Sequence, residues 1–201
     1  MRKKFNLFVI LFLFCITGFS QSDFVTDVLA FQSDLNKNYS DSATSPLTME
    51  EREVFSGLDF FPPNKYYKIE AELIKKFNPL SVTLKTTTDR APRYILYAEA
   101  VFTMEGRIFH LNIYKSELTK EGEKEYAFIP FTDLSNGVTT YTGGRYVEVD
   151  VIGNESVIID FNKAYNPYCA YNHKYSCVVP PSENFIDLEI NAGVKKGILK
   201  K

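Results

Sequence analysis

The sequence predicts a mainly β fold of the α+β class, with a curled antiparallel sheet or β-barrel-like core of about eight strands and two N-terminal helices. From Tyr66 onward, apolar residues recur at every second position, which is the period of a strand with one buried face. Before that point, apolar residues recur at spacings of three and four, which is the period of an amphipathic helix.

Residues 1–20 have the order of a secretory signal peptide. Basic residues at positions 2–4 precede an apolar run from Leu7 to Ile16, and small residues follow as far as Ser20. We therefore expect cleavage near Ser20-Gln21 and export of the protein, either to the periplasm or out of the cell. The run is shorter than the ~20 apolar residues that cross a bilayer, so we expect no stable transmembrane anchor.

The remaining chain is acidic. Loss of the leader lowers the basic residues from 23 to 20 against 25 acidic ones, and the net charge falls from −2 to −5. This balance argues against a nucleic-acid partner, since such proteins carry a basic excess or a basic stripe. We expect residues 21–56 to be an N-terminal helical decoration and residues 57–201 a single β-rich domain with a C-terminal disulfide loop. Nothing in the sequence indicates the oligomeric state.

Two helices are predicted before the sheet. The first covers residues 22–38, and its apolar stripe consists of Phe24, Val28, Phe31 and Leu35. Thr48 and Glu51 have the spacing of a capping box, which predicts a short second helix that extends through Phe55. Both helices are expected to pack on the main body.

Short polar or glycine-bearing connections separate the predicted strands. The strands are 66–73, 81–87, 93–103, 107–115, 125–131, 145–152, 156–161 and 185–190. Glu105-Gly106 and Gly153-Asn154 suit hairpins, and Asn136-Gly137 tolerates positive φ. Consecutive strands should therefore be antiparallel neighbours. The strand 93–103 carries apolar residues on both faces, so the sheet should be covered on both sides, and closure would protect its edges.

Cys169, His173 and Cys177 follow the spacing C-x3-H-x3-C, and thiolate and imidazole are common zinc ligands. However, structural zinc usually takes four ligands, and nearby cysteines of exported proteins usually pair. We therefore predict a Cys169–Cys177 disulfide and no metal. The bond would hold the tyrosine loop, residues 165–177, which contains Tyr165, Tyr168, Tyr171 and Tyr175.

A binding site is predicted where several polar segments meet at one end of neighbouring strands. Its residues are Arg145, Tyr146, Asp160, Asn162, Tyr165 and Asn166. Arg145 follows Gly143-Gly144, whose amides suit an anion, so the expected ligand is a polar or anionic small molecule. A structural alternative is that Arg145 pairs with Asp160 or Asp133. In the same way, the tyrosines alternatively cap one end of the sheet.

No reaction chemistry is evident. The chain has no zinc-protease, nucleophile-elbow, phosphate-loop or dinucleotide motif, so we assign no catalytic residue and no cofactor. The alternative functions are a hydrolase that uses Asp160 or His173 as general base and a structural or interaction module of the cell envelope.

Several stretches resemble the domain of unknown function 1684 family, a group of bacterial and archaeal proteins. They are DRAPRY, FIPFTDLSNGVTTYTGGRY, DFNKAYNPYCAYNHKYSC and VPPSENFIDLEINAG, and the resemblance extends upstream through SPLTMEEREVFSGLDFFPPNKYYKIEAEL. The chain departs from the family pattern at Thr142, where G-G-G-R-Y is usual, and at Val194, where A-G-E is common. The resemblance implies no activity, cofactor or catalytic residue.

Overall fold

Seven strands form one curled sheet in the computed structural model, which describes residues 18–117, 127–151 and 155–196. The strands are β1 Lys68–Thr83, β2 Arg93–Met104, β3 Arg107–Ser116, β4 Ala127–Asp133, β5 Arg145–Val149, β6 Ser156–Asp160 and β7 Phe185–Ile186. The first six are antiparallel in the order β5-β4-β3-β2-β1-β6, and the short β7 lies parallel to β4. The predicted mainly β fold is confirmed.

Two helices precede the sheet. Helix α1 spans Gly18–Ser40, and helix α2 spans Met49–Glu53. Phe24 and Val28 are buried, as the apolar stripe predicts. The capping box is also confirmed, because the Thr48 hydroxyl accepts from the Glu51 N–H and the Glu51 carboxylate accepts from the Thr48 N–H.

Parts of two predictions lie outside the described residues, namely positions 1–17 of the leader and the Gly153-Asn154 hairpin. Neither described helix is long and apolar enough to cross a membrane.

Strand β1 replaces two predicted strands, 66–73 and 81–87. Its pairing with β2 shifts register between Lys75 and Leu80. Pro79 lies in this interval and lacks the N–H that a ladder requires. The chain passes this point as an irregular strand instead of ending in a turn. The predicted strand 185–190 is also shorter, because only Phe185–Ile186 pair as β7.

The order of the strands differs from the prediction at two steps, because β7 lies parallel to β4 instead of antiparallel to β6, and β6 is also displaced. Strand β6 pairs with β1, from Lys68 opposite Asp160 to Glu72 opposite Ser156, and not with the preceding strand β5. The edge strands β5 and β6 nevertheless contact each other, because the sheet curls toward closure. The Glu105-Gly106 hairpin is confirmed, and both residues have positive φ, +50° and +71°.

The sheet is covered on both sides, as predicted. Ala98 and Ala100 of β2 belong to the main core, whereas Tyr94 and Leu96 of the same strand belong to a cluster on the opposite side, the second face. The change of side is possible because the pairing of β2 with β3 shifts register between Leu96 and Ala98. Phe128 of β4 also lies on the second face.

Asn184 joins β3 and β4 where their ladder ends. In the described residues, these strands pair only at Tyr114–Phe128 and Lys115–Ala127. Beyond that point, the buried Asn184 side chain accepts from the Asn112 N–H at 2.8 Å and donates to the carbonyls of Asn112 and Pro130 at 2.9 and 2.8 Å. The amide thus replaces missing backbone hydrogen bonds.

Replacing Asn184 with Ala should destabilise the fold, because it leaves buried backbone groups of β3 and β4 without partners. We expect the free energy of unfolding to fall by about 3 kcal/mol. Urea denaturation followed by circular dichroism measures it. The exposed Asn78 gives a matched control, and Asn78→Ala should change stability by less than about 0.5 kcal/mol. Equal effects of the two substitutions would contradict this role of Asn184.

Candidate functional site

Arg145 begins β5 and is fully buried, with 0% of its surface exposed. Its Nη2 lies 3.0 Å from Oδ2 of Asp133, at the end of β4. The guanidinium also donates to the carbonyls of Ile190, at 2.8 Å, and Ala192. Burial lowers the pKa of Arg145, and the Asp133 carboxylate opposes this effect. The arginine therefore binds the chain itself.

Asp133 completes this arrangement. Its Oδ1 accepts from the N–H groups of Ser135, at 2.8 Å, and Ile190, at 3.1 Å. Of the alternatives raised by the sequence, pairing of Arg145 with Asp133 is the one found. The predicted ligand-binding role of Arg145 does not fit this position, because a ligand cannot reach a side chain with no exposed surface.

Gly144 serves a turn that leads into β5. Its φ is +83°, and its N–H donates to the Tyr141 carbonyl at 3.2 Å. A Cβ at this position would lie 2.6 Å from the Phe131 carbonyl oxygen, so only glycine fits. The amide is already used within the turn, and it does not form the anion site that the sequence suggested.

Asp160 and Asn162 also hold the chain together. Asp160 Oδ1 accepts from the Asn162 N–H at 3.1 Å and from its side-chain amide at 2.8 Å. The Asn162 side chain binds both backbone groups of Asn64, at 2.8 and 3.0 Å. Lys68 lies 4.0 Å from the other Asp160 oxygen, which makes no hydrogen bond with the described residues. Both side chains are buried and tie the segment before β1 to the end of β6.

Tyr146 and Tyr165 are neighbours on the second face. Their backbones exchange two hydrogen bonds of 2.9 Å, and their rings meet edge to face at 6.0 Å. The Tyr146 hydroxyl donates to the Val178 carbonyl at 2.5 Å. Asn166, the next predicted site residue, is buried and donates to the Tyr171 hydroxyl at 3.1 Å. The tyrosine loop is thereby fixed against β5.

A cavity of about 600 Å³ lies between α1, the second face and the tyrosine loop. We call it the aromatic cavity after the rings on its wall, which are Phe31, Tyr94, Phe128, Tyr146, Tyr165, Tyr168 and Tyr175. Two predicted site residues, Tyr146 and Tyr165, are on this wall. The other four, namely Arg145, Asp160, Asn162 and Asn166, do not line it.

Polar groups stand among these rings. Arg90 donates from Nε to the Ser176 hydroxyl at 3.1 Å and from Nη2 to the Ser176 carbonyl at 2.7 Å. Asp34 pairs with Lys37 at 2.8 Å on the exposed side of α1. Burial raises the pKa of Tyr94, so its hydroxyl remains a hydrogen-bond donor at neutral pH.

The two cysteines are in contact and are free thiols in this structure. The Cys169 N–H donates to the Cys177 sulfur at 3.1 Å. The predicted disulfide stays a prediction. His173 is exposed. Within the described ranges, no group of three or more histidine, cysteine or acidic residues could hold a metal ion.

The sequence interpretation missed the contribution of α1. The wall includes Asp34, Leu35 and Asn38, and Arg90 enters it from the loop between β1 and β2. The signal in the sequence is the apolar stripe that includes Phe31 and Leu35, for which the sequence alone predicts only packing. Arg90 lies in the stretch DRAPRY, which is part of the resemblance to the family.

The comparisons with known proteins identify a family. Residues 53–195 match the family described as Protein of unknown function (DUF1684). The chain belongs to this family. Among solved structures, the chain is similar to the solution NMR structure of an uncharacterized protein from Haloarcula marismortui, with a TM-score of 0.69 and 32% identity over 88% of this chain and 96% of that one. Among curated proteins, no match was found.

Replacing Arg145 with Met should strongly destabilise this DUF1684 member, because it leaves Asp133 buried without its counterion. We expect a loss of about 3–5 kcal/mol in the free energy of unfolding. Chemical denaturation measures the loss. The control is Arg93→Met, which removes an exposed arginine that pairs with Glu117 and should cost less than about 1 kcal/mol. A stable, normally folded Arg145→Met protein would show that Arg145 is not a structural residue.

Proposed function

We propose that this protein binds a small organic molecule in the aromatic cavity. The observation that carries the proposal is the wall itself, where rings from a helix, the sheet and a loop converge around about 600 Å³. Known ligand sites have volumes of roughly 300–1,000 Å³ and combine an apolar lining with a few polar groups. A tyrosine cluster that only capped the sheet would not need space between the rings and α1.

The wall favours a ligand with a flat apolar body and a polar or anionic substituent. Aromatic rings pack well on such a body, and phenol hydroxyls donate to its polar atoms. Arg90 supplies a cation that suits a carboxylate or a sulfonate. Arg90, and not Arg145, is thus the residue that we propose to bind the anionic group of the ligand. Asp34 also lines the cavity, but its negative charge is partly neutralised by Lys37.

Export of the protein belongs to the same proposal. The basic, apolar and small residues of positions 1–20 support it. Cleavage between Ser20 and Gln21 would shorten α1 at its start and keep Phe24 and Val28, the residues that anchor the helix. The ligand would then be met outside the cytoplasm.

The alternative hydrolase gains no support from the positions of its bases. Asp160 is buried and caps the turn that follows β6, with the Asn162 N–H on its Oδ1. His173 is exposed, and neither residue lines the aromatic cavity. A general base must come within hydrogen-bond distance of the proton that it removes from the bound substrate or water. We therefore propose binding and not turnover.

An interaction module is the second candidate, and the irregular part of β1 favours it. Phe77 is 99% exposed and Leu80 is 61% exposed beside the register shift. If this surface carries the function, Phe77→Ser should abolish recovery of an envelope partner after cross-linking, while leaving ligand binding in the aromatic cavity unchanged.

Filling the aromatic cavity from α1 should abolish ligand binding. Asn38 lines the cavity from the exposed side of the helix, so Asn38→Trp would place an indole in the space without disturbing a core residue. As probe we choose 8-anilinonaphthalene-1-sulfonate, which has an aromatic body and an anionic group. Its fluorescence in a titration should show at least about tenfold weaker binding to the variant, equivalent to 1.4 kcal/mol.

Ser33→Trp is the matched control, because Ser33 is exposed on the same helix and does not line the aromatic cavity. Its affinity for the probe should equal that of the wild type. Equal loss of affinity in both variants, or no binding by the wild type, would contradict the proposal. Native mass spectrometry of the protein recovered from its own organism then gives the mass of any natural ligand.

A further inference from the structure

Cys169 and Cys177 are brought together by different parts of the tyrosine loop. Cys169 lies in the 3₁₀ turn Tyr168–Ala170 and is buried, with 5% of its surface exposed. Cys177 lies eight positions later, accepts from the Cys169 N–H at 3.1 Å, and lines the aromatic cavity. Cys169 is thus buried, whereas Cys177 is half-buried and lines a space that a small molecule can enter.

The loop after β1 holds Cys177 in place. The Thr87 N–H donates to the Cys177 carbonyl at 2.9 Å, and the Thr87 hydroxyl accepts from the Cys177 N–H at 3.2 Å. Thr86 forms a bridge with Val178 next to these bonds. The backbone of Cys177 is therefore anchored to the loop after β1, which keeps its side chain beside Cys169.

The polar surroundings stabilise a negative charge on the pair. Hydrogen bonding from the Cys177 thiol, with further donors on Thr87 and Tyr141, lowers the pKa of Cys169 to about 6. The same hydrogen bond and burial raise the pKa of Cys177. At neutral pH the pair therefore holds one proton, which can move along the bond between the sulfurs.

The other titratable groups that face the two cysteines are one arginine and three tyrosines. Arg90 favours a thiolate on Cys177. Tyr39, Tyr94 and Tyr141 face the cysteines as neutral phenols, because burial raises the pKa of each. Arg90 is thus the cation that favours a thiolate on the cysteine that lines the cavity, and the phenols add no negative charge at neutral pH.

We propose that Cys169 and Cys177 form a reactive dithiol that reduces small-molecule disulfides which enter the aromatic cavity. Cys177, as thiolate after passing its proton to Cys169, attacks one sulfur of the disulfide and releases the other half as a thiolate. Cys169 then loses its proton to solvent and attacks Cys177, which expels the second thiolate. The protein loses two electrons and its one remaining thiol proton and gains the Cys169–Cys177 bond, and the small disulfide becomes two thiolates, which take up protons from solvent.

The proposal depends on access to Cys177 through the aromatic cavity and not on the identity of a natural ligand. Its failure and the failure of the binding proposal are therefore distinguishable. The disulfide that the sequence predicts would then be reversible as well as structural, and it would form in the wall of the aromatic cavity.

The experiment treats the folded, reduced protein with 2-hydroxyethyl disulfide at pH 7 and follows the products by mass spectrometry with peptide mapping. The wild type should lose the mass of two hydrogen atoms through a Cys169–Cys177 bond. Cys169→Ala should retain one hydroxyethylthio group on Cys177. Cys177→Ala should react at least about tenfold more slowly, since its remaining thiol is buried.

Alkylation of the wild type with iodoacetamide at a series of pH values gives an independent readout, with a midpoint shifted toward pH 6. Oxidation of the wild type only after unfolding in urea would overturn the proposal. So would an adduct that forms on Cys169 in Cys177→Ala but not on Cys177 in Cys169→Ala. The wild-type result decides the question even if a variant does not fold.

Discussion

The buried ion pair of Arg145 and Asp133 is the constraint on which the rest of this structure depends. A charged guanidinium with no exposed surface is tolerated only if its donors meet acceptors. Here Asp133 and the carbonyls of Ile190 and Ala192 accept from Nη1 and Nη2, whereas Nε has no hydrogen-bond partner among the described residues. The pair therefore fixes the C-terminal segment, residues 190–196, across the end of β4 and β5, and makes it part of the fold.

The aromatic cavity follows from that anchoring. The Val194 N–H, in the C-terminal segment, donates to the Ala164 carbonyl at 2.9 Å, and the next residue, Tyr165, pairs with Tyr146. Gly193 makes this contact possible, since a Cβ there would lie 2.4 Å from the Ala164 oxygen. The start of the tyrosine loop is thus held between β5 and the C-terminal segment. Tyr168 and Tyr171 of this loop pack edge to face on Tyr39 of α1, with ring centres 6.0 and 5.0 Å apart, and Tyr168 also lines the aromatic cavity.

The sequence predicted most of the fold and about a third of the site, for a common physical reason. The alternation of apolar residues and the capping box are local patterns of the sequence. The strands, the cap of α2 at Thr48 and the Glu105-Gly106 hairpin could therefore be inferred from residues that are close in the chain. The depth of a polar side chain is not local. Nothing near Arg145 shows that carbonyls from residues 190–194 surround it, and nothing near Asn162 shows that Asn64 binds its amide. Of the six predicted site residues, Tyr146 and Tyr165 line the cavity. The charged and amide residues Arg145, Asp160, Asn162 and Asn166 instead form hydrogen bonds within the fold.

Native-state hydrogen exchange of the unmodified protein tests the central claim most directly, because it reports whether the C-terminal segment and the tyrosine loop open separately from the sheet. The diagnostic amides are those of Ile190, Val194 and Tyr165, which donate to Asp133, Ala164 and Tyr146. If the ion pair integrates these segments, the three amides should exchange only by global unfolding, with the same free energy as the most protected amides of β4. Exchange through local opening, at a free energy several kcal/mol lower, would contradict the account.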